Sequence, residues 1–326
     1  MSTPHSSIHH STFSVRRSAF ILSSLLSCLL SLSSPAEGRP NILIILADDM
    51  GYGDLGCTGT AHLKTPHLDA LAASGVLCTQ AYVTSPVCSP SRAGLITGRD
   101  PRRFGYEGNL NKGANAYATR PELLGLPPGE HTLGDHLKAA GYRTGLVGKW
   151  HLGTGDGFHP NDRGFDEFCG MLTGGHNYFP TADKHQLERN GGKLTEFSSP
   201  YLTDFFTDEA IRFMKNGKDQ PFFLFLSYNA PHTPMQATEA DLALYSHIKD
   251  QKRRTYAAMM HALDRGVGRT VDWLKENRQL DNTLIVFFSD NGGATNTGSW
   301  NAQLSGAKGS LREGGVRIPM IWSWPG

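Results

Sequence analysis

Cysteine is scarce in this sequence, which has five among its 326 residues. One of them, Cys28, lies in the N-terminal segment described next, and the other four are too few for a disulfide-built scaffold. An excess of charge of one sign is also absent, because 31 basic residues face 30 acidic ones. That balance offers no general attraction for nucleic acid, so we expect no nucleic-acid partner. The length and the 39% content of hydrophobic residues are those of a globular protein with a large core or two domains.

Long apolar runs are absent after the N-terminal region. There, Arg16 and Arg17 precede a serine-diluted apolar stretch at residues 19–32, and Ser34-Pro35-Ala36 offers small residues for cleavage. The stretch is too short and too rich in serine for a stable membrane span. We therefore predict a signal peptide at residues 1–37, a folded region at residues 38–326, and export to the periplasm or the extracellular space.

From Pro40 onward, short apolar runs alternate with segments of helical periodicity. Predicted strands are Asn41–Ala47, Tyr142–Val147, Phe222–Tyr228 and Thr283–Ser289, which are near-continuous apolar runs of the kind buried on both faces of a parallel sheet. Predicted helices lie between them, at His67–Ser74, Thr132–Ala140, Thr203–Lys215 and about Arg254–Asn277. The alternation predicts an α/β fold with a doubly wound, mostly parallel sheet flanked by helices.

Chemically capable side chains follow the carboxyl ends of all four predicted strands. They are Asp48 with Asp49, Lys149 with His151, His232, and Asp290 with Asn291. One such residue alone is more often a turn residue or a helix cap. In a parallel sheet, however, these ends share one edge, where open α/β folds bind their ligands. Four ends together therefore predict a functional site.

Oxygen ligands predominate among these residues. Asp48, Asp49, Asp290 and Asn291 supply carboxylate and amide oxygens, which suit Ca²⁺ or Mg²⁺. A zinc hydrolase of this architecture is expected to use several histidines instead. Asp54 lies in the glycine-bearing loop after the first pair, and we interpret it as a turn residue rather than a ligand.

A second feature is the stretch from Pro86 to Arg99, in which Cys88 follows an apolar run at residues 76–83 and begins an amphipathic segment. The start of a helix favours negative charge, and Arg92 one turn later offers a fork of donors that matches tetrahedral oxyanions. This combination predicts a nucleophile beside an anion site. The alternative is a buried cysteine at an ordinary helix start. Lys308 lies within Ser305-Gly306-Ala307-Lys308-Gly309, and by itself it is better interpreted as a solvated loop lysine than as a ligand-binding residue.

The motif Cys88-Ser89-Pro90-Ser91-Arg92-Ala93, followed by Thr97-Gly98, resembles the C-x-P-S-R-A-x-x-x-T-G signature of the type I sulfatases. A second stretch at residues 141–151 ends in Gly148-Lys149-Trp150-His151 and resembles the other signature of that family. The resemblance covers about residues 40–326. It implies an alkaline phosphatase-like fold and hydrolysis of a sulfate ester, of a carbohydrate or an aryl alcohol.

The family resemblance also implies cofactors and roles. Cys88 is oxidised to Cα-formylglycine by a formylglycine-generating enzyme, and the hydrated aldehyde attacks sulfur beside a Ca²⁺ held by Asp48, Asp49, Cys88, Asp290 and Asn291. His232, assisted by Lys308, protonates the leaving alcohol. His151 then takes the proton of the second hydroxyl, and sulfate is expelled. Arg92 and Lys149, with the metal, hold the sulfate oxygens.

Three alternatives share some of these features. A formylglycine-dependent phosphonate or phosphodiester hydrolase uses the same motifs, because phosphate and sulfate are both tetrahedral oxyanions. A calcium-dependent binder of sulfated glycans requires no modified Cys88, and a thiol hydrolase uses Cys88 directly. Sulfatases also continue into a smaller C-terminal domain, so we expect this chain to lack that domain. For the same reason we expect the strand-like run Val316 to Trp322 to lie at an open sheet edge.

Overall fold

A computed structural model describes residues 38–60, 62–110, 124–180, 187–217 and 220–326. The predicted signal peptide, at residues 1–37, lies outside the described residues. Residues Pro40–Gly326 form one compact unit. Within the described residues, no helix is both long and apolar enough to cross a membrane. The four described cysteines, Cys57, Cys78, Cys88 and Cys169, are unpaired.

Nine strands form a single sheet in the described part of the chain, in the order β2-β9-β8-β1-β7-β3-β4-β5-β6. Their bounds are β1 Asn41–Ala47, β2 Val76–Tyr82, β3 Arg143–Lys149, β4 Glu167–Met171, β5 Leu187–Arg189, β6 Gly192–Lys193, β7 Phe222–Ser227, β8 Thr283–Ser289 and β9 Arg317–Ser323. The central strands β8, β1, β7, β3 and β4 are parallel. The flanking pairs β8–β9, β9–β2, β4–β5 and β5–β6 are antiparallel. The predicted mostly parallel sheet is confirmed.

Helices cover both faces of this sheet. Their bounds are α1 Pro66–Ser74, α2 Cys88–Thr97, α3 Leu133–Ala139, α4 Leu202–Lys215, α5 Glu239–Leu244, α6 Gln251–Glu276 and α7 Glu313–Val316. Alternate residues of β1 enter opposite cores. Leu43 and Ile45 join the core that contains α1, α4 and α6, whereas Ile44 and Leu46 join the core that contains α2 and α3. The central strands are therefore buried on both faces, which explains their continuous apolar sequences.

Two of the predicted strands have different ends in the structure. Strand β3 begins at Arg143 and continues through Gly148 and Lys149. Gly148 has a φ of 109°, and a Cβ there would lie 1.9 Å from the carbonyl oxygen of Ser227, so only glycine lets β3 approach β7 this closely. Strand β7 ends at Ser227, one residue before its predicted end.

The prediction that residues 316–322 lie at an open sheet edge is wrong. Strand β9 pairs with β8 on one side and with β2 on the other. The strand at that edge of the described sheet is β2, which comes much earlier in the chain. Sequence order gave no indication of this pairing, because the antiparallel partner lies more than two hundred residues away.

Candidate active site

The ends of β1 and β8 bring acidic side chains together. Strand β1 ends at Ala47 and β8 at Ser289, and these two residues are paired in the sheet. Asp48, Asp49 and Asp290 are therefore neighbours, and all three are buried. The backbone N–H of Asp49 donates to Asp290 Oδ1 at 3.2 Å. Asp49 has a φ of 69°, a conformation that costs a residue other than glycine about 1 to 3 kcal/mol. The surrounding fold maintains this strained backbone next to the carboxylates.

Cys88 begins helix α2 and lies against these carboxylates. Its Sγ is 3.4 Å from Asp48 Oδ1 and 3.9 Å from Asp49 Oδ1, and Lys308 Nζ lies 3.2 Å away. Burial and the nearby carboxylate of Asp48 raise the pKa of the Cys88 thiol well above its ordinary value. Because the thiolate is the nucleophilic form, this environment does not favour a hydrolase that uses the Cys88 thiol directly.

Arg92 contacts carboxylates rather than an open anion site. Its Nε lies 2.9 Å from Asp290 Oδ2, and its Nη2 lies 3.7 Å from Asp48 Oδ2. Its Nη1 donates to Ser227 Oγ and to the backbone carbonyl of Lys149, at 2.7 and 3.0 Å. The residue is 2% exposed. These contacts allow Arg92 to orient Asp290 and Asp48, and its contact with sulfate oxygens stays a prediction.

Two lysines complete the ionic cluster. Lys149 is fully buried, with its Nζ 2.5 Å from Asp48 Oδ2. Although burial by itself raises the pKa of Asp48, the charges of Lys149, His232 and Arg92 hold it well below its ordinary value. Lys308 Nζ lies 2.7 Å from the carboxylate of Asp49, and its side chain remains 20% exposed. Lys308 is thus the lysine of this cluster that reaches both Cys88 and solvent.

His151 is held in the site as a neutral imidazole. It has a φ of 62°, is buried, and its backbone carbonyl accepts a hydrogen bond from Ser89 Oγ at 2.7 Å. Burial, reinforced by the positive charges of Lys149 and Arg92, lowers its pKa well below the ordinary value. Its Nδ1 is buried without a hydrogen-bond partner among the described residues. A neutral ring with a free nitrogen is able to accept a proton.

His232 lies on the more open side of the cluster. Its Nε2 is 3.7 Å from Asp49 Oδ2, and its side chain is 19% exposed. The Nδ1 lies 2.7 Å from the backbone carbonyl of Thr233, which fixes Nδ1 as the protonated nitrogen of the neutral ring. Its Nε2 therefore faces the acidic cluster, where it can exchange a proton.

The donor set fits a hard divalent cation. Asn291 Nδ2 donates to Asp49 Oδ1 at 2.8 Å, whereas Asn291 Oδ1 is buried without a partner among the described residues. An orphaned amide oxygen beside three carboxylates is what such a cation satisfies. Asp48, Asp49, Cys88 and His232 each offer one ligand atom, and these four atoms all lie within 4.8 Å of one another. His232 thus belongs to the geometric cluster, although the sequence assigned it to proton transfer alone.

Several supporting residues were not predicted from the sequence. Ser89 links the start of α2 to His151 and also contacts the hydroxyl of Tyr106 at 2.7 Å. Tyr178 Oη lies 2.7 and 2.8 Å from the backbone carbonyls of Asn229 and His232. Ser227 Oγ donates to the carbonyl of Lys149 at 2.7 Å. Most of these partners are distant in sequence, so no local motif predicts their contacts. Of these supporting residues, only Ser89 lies within a sulfatase signature.

Comparison with known proteins decides the family. The family model described as "Sulfatase" matches residues 40–326, which is the whole compact unit. The chain belongs to the sulfatase family. It is 37% identical to N-acetylgalactosamine-6-sulfatase of Sus scrofa over 309 residues, an alignment that covers 89% of this chain and 58% of the relative. It is 36% identical to arylsulfatase J of Mus musculus, with 86% of this chain and 47% of the relative covered.

Solved structures show the same fold. The chain is 44% identical to Ps i-CgsB, solved in complex with k-i-k-neocarrahexaose, with a TM-score of 0.82 and coverage of 88% of this chain and 66% of that one. It is 29% identical to the PsFucS1 sulfatase from Pseudoalteromonas sp., with a TM-score of 0.74 and coverage of 94% and 66%. This sulfatase-family chain thus spans about half to two thirds of the length of these relatives.

Proposed function

We propose that this protein hydrolyses a sulfate ester to an alcohol and sulfate. The observation that carries the proposal is the position of Cys88, which starts α2 and contacts Asp48, Asp49 and Lys308 in one buried cluster. The cysteine lies within the sulfatase signature, and the family match covers the region that holds every member of this cluster. We assign residues 38–326 to the catalytic domain.

The proposal includes two groups that the chain acquires. We propose that a formylglycine-generating enzyme converts Cys88 to Cα-formylglycine, which supplies a hydrated aldehyde as the nucleophile. We also propose a resident Ca²⁺, with Mg²⁺ as the alternative, held by Asp48, Asp49, Asp290 and Asn291 together with residue 88, where it supplies a Lewis acid. The carboxylate and amide oxygens of this site are the ligands that Ca²⁺ and Mg²⁺ prefer.

The chain's own residues divide the remaining work. His232, on the open side of the cluster, acts in its doubly protonated form and donates the Nε2 proton to the departing alcohol oxygen, and the exposed part of Lys308 reaches the same side. His151, neutral and with a free nitrogen, accepts a proton from the group at position 88. Arg92 and Lys149 hold the carboxylates in place, and Lys149 and Lys308 bring positive charge to the sulfate.

We further propose that residues 1–37 direct export to the periplasm or the extracellular space. The substrate is a sulfated carbohydrate, supported by relatives named N-acetylgalactosamine-6-sulfatase and by the similar protein Ps i-CgsB, whose structure was solved in complex with k-i-k-neocarrahexaose. An aryl sulfate is the second substrate class, because other relatives are arylsulfatases.

The test is co-expression of the chain with a formylglycine-generating enzyme, followed by mass spectrometry of the peptide that contains residue 88. We expect the mass loss that accompanies replacement of the thiol by an aldehyde, together with turnover of sulfate esters. Cys88→Ala is expected to lower turnover roughly 10³-fold or more, because removal of a catalytic nucleophile typically lowers the rate by at least this factor. Faster turnover of a phosphonate monoester would favour the phosphonate hydrolase. An unmodified thiol with binding but no turnover would favour a glycan-binding protein.

A further inference from the structure

The loop at residues 172–179, which follows β4, contacts both histidines of the candidate site. The backbone N–H of His151 donates to the carbonyl of Leu172 at 3.2 Å. A Cβ on Gly174 would lie 2.7 Å from the His151 imidazole, and one on Gly175 would lie 3.5 Å from the His232 ring. The loop therefore forms a wall of the site next to the group that we assign as the proton donor.

The far end of this loop is fixed to the segment that carries His232. Tyr178 is fully buried, and its Oη lies 2.7 and 2.8 Å from the carbonyls of Asn229 and His232. Its backbone N–H donates to Gln236 Oε1 at 2.9 Å. The loop is therefore hydrogen-bonded to His151 at Leu172 and to the His232 segment at Tyr178, and the residues between lie beside His232.

Those intervening residues carry polar side chains. His176 Nδ1 donates to the carbonyl of Asn177 at 2.7 Å, which leaves its Nε2 as an acceptor. Among the described residues, neither that Nε2 nor the side-chain amide of Asn177 has a hydrogen-bond partner, and Asn177 is exposed. Phe179 follows, 42% exposed and packed on Tyr201 with 5.3 Å between the ring centroids. Free polar groups beside an exposed aromatic ring suit a sugar, which offers both hydroxyls and apolar C–H faces.

We propose that the 172–179 loop binds the alcohol part of the substrate, with His176 and Asn177 hydrogen-bonded to sugar hydroxyls, so that the protein selects sulfated carbohydrates over aryl sulfates. The inference rests on the proposed function, in which the alcohol oxygen departs next to His232. The residues beside His232 therefore face the alcohol rather than the sulfate. A site that hydrogen-bonds a substrate hydroxyl discriminates strongly against an analogue that lacks it, because its polar groups stay unpaired.

The test compares two esters with the formylglycine-bearing protein, N-acetylgalactosamine 6-sulfate and 4-nitrophenyl sulfate. We expect His176→Ala and Asn177→Ala each to lower kcat/KM for the sugar sulfate by about 10-fold or more, equivalent to one or two hydrogen bonds. The loss on the aryl ester should be smaller, so that the ratio of the two kcat/KM values falls at least about fivefold. His247→Ala is the control, since this exposed histidine packs on Tyr245 and does not belong to the 172–179 loop.

Equal losses on both esters, no loss on either, or a wild-type preference for the aryl ester would overturn the inference. If the formylglycine-bearing protein cleaves neither ester, the proposed function fails instead. Calorimetric binding of N-acetylgalactosamine 6-sulfate to the Cys88→Ala protein then still decides the inference. Binding that weakens at least about fivefold in His176→Ala supports the loop assignment. Unchanged binding, or no binding, refutes it.

Discussion

At the scale of single residues, the positive and negative side chains of the candidate site nearly balance each other. Asp48, Asp49 and Asp290 face Arg92, Lys149 and Lys308, and each carboxylate contacts at least one of these cations. Burial and the neighbouring carboxylate of Asp48 raise the pKa of Asp290 to about 6, against the opposing charge of Arg92. Removal of one member therefore leaves an uncompensated charge in a buried site, which is costly.

Replacing Asp290 tests the metal assignment. Asp290→Ala removes an oxygen ligand and frees the guanidinium of Arg92, so we expect calcium affinity to fall roughly 10²-fold or more and activity to fall with it. Calorimetric calcium titration of chelator-treated protein measures this, with the exposed Asp272→Ala as the control. Retained affinity in the variant, or activity restored by zinc alone, would contradict the oxygen-ligand site.

Asp54 holds the loop that follows Asp48 and Asp49. It is fully buried and accepts hydrogen bonds from Tyr256 Oη at 2.6 Å, Arg253 Nη1 at 2.7 Å and the Trp300 N–H at 2.9 Å. Its position outside the ligand cluster agrees with the prediction that it is a turn residue. The sequence did not reveal the burial or these partners, which lie about two hundred residues away.

We expect Asp54→Asn to destabilise the protein by about 3 kcal/mol, because breaking a buried ion pair leaves Arg253 unpaired and an amide cannot accept all of these donors. Urea unfolding measures the change, with Asp272→Asn as a matched surface control. An unchanged unfolding midpoint would show that the network contributes nothing to the fold.

At the scale of helices and strands, the sequence predicted those elements whose positions follow from a local pattern of residues. Strands β1 and β8 have their predicted bounds, because they are buried on both faces and read as continuous apolar runs. Strands β4, β5 and β6 were missed, since they are short and two of them form a hairpin at the sheet margin. A signal for that hairpin was present in Asn190-Gly191, both of which have positive φ.

Helix α1 begins with a cap that no local pattern could predict. Its Thr65 provides no side-chain cap, and the backbone N–H groups of His67 and Leu68 donate to Asp264 at 3.3 and 2.8 Å. Asp264 lies in the middle of α6. The carboxylate therefore joins two helices that pack on the same face of the sheet.

This contact predicts a pH dependence of stability. Burial raises the pKa of Asp264 from 3.8 to about 6, against the two backbone hydrogen bonds. A carboxyl group whose pKa is higher in the folded state binds more protons when folded, so its contribution falls as pH rises from about 4 to about 6. The loss amounts to about 3 kcal/mol, because a difference of one in pKa corresponds to about 1.4 kcal/mol.

Asp264→Asn should remove the contribution of Asp264 to the pH dependence of stability. The amide oxygen of the variant still accepts a hydrogen bond from the backbone of α1. Urea unfolding of both proteins between about pH 4 and pH 7 gives the difference in free energy of unfolding, which cancels the other titrating groups. Two parallel curves would show that Asp264 does not titrate in this range.

At the scale of the whole molecule, the position of the candidate site could be predicted because the parallel strands at the centre of the sheet could be predicted. Strands β8, β1, β7 and β3 are consecutive in the sheet, so the residues after each end meet at one edge. The antiparallel margins depend instead on pairings between distant segments, such as Val76 with Trp322. Those pairings leave no periodic pattern in the sequence, and the predicted position of β9 was wrong for this reason.

In the observed sheet order, β2 rather than β9 is the strand at this edge of the described sheet. Val76 is 61% exposed, Tyr82 is 51% exposed, and Trp322, opposite Val76 on β9, is 42% exposed. An edge strand with exposed apolar side chains pairs readily with a second copy. We therefore expect this 326-residue chain to self-associate through β2.

Val76→Lys should weaken that association, because a lysine on an edge strand opposes pairing and removes an apolar contact worth about 1.5 to 3 kcal/mol. The dissociation constant is expected to rise roughly tenfold or more, measured by size-exclusion chromatography with light scattering over a concentration series. Leu244→Lys is the matched control, because Leu244 is 56% exposed but lies at the end of α5, outside the sheet. If the wild-type chain stays monomeric at every concentration, or if both variants weaken association equally, the β2 edge is not the surface through which copies of this chain meet.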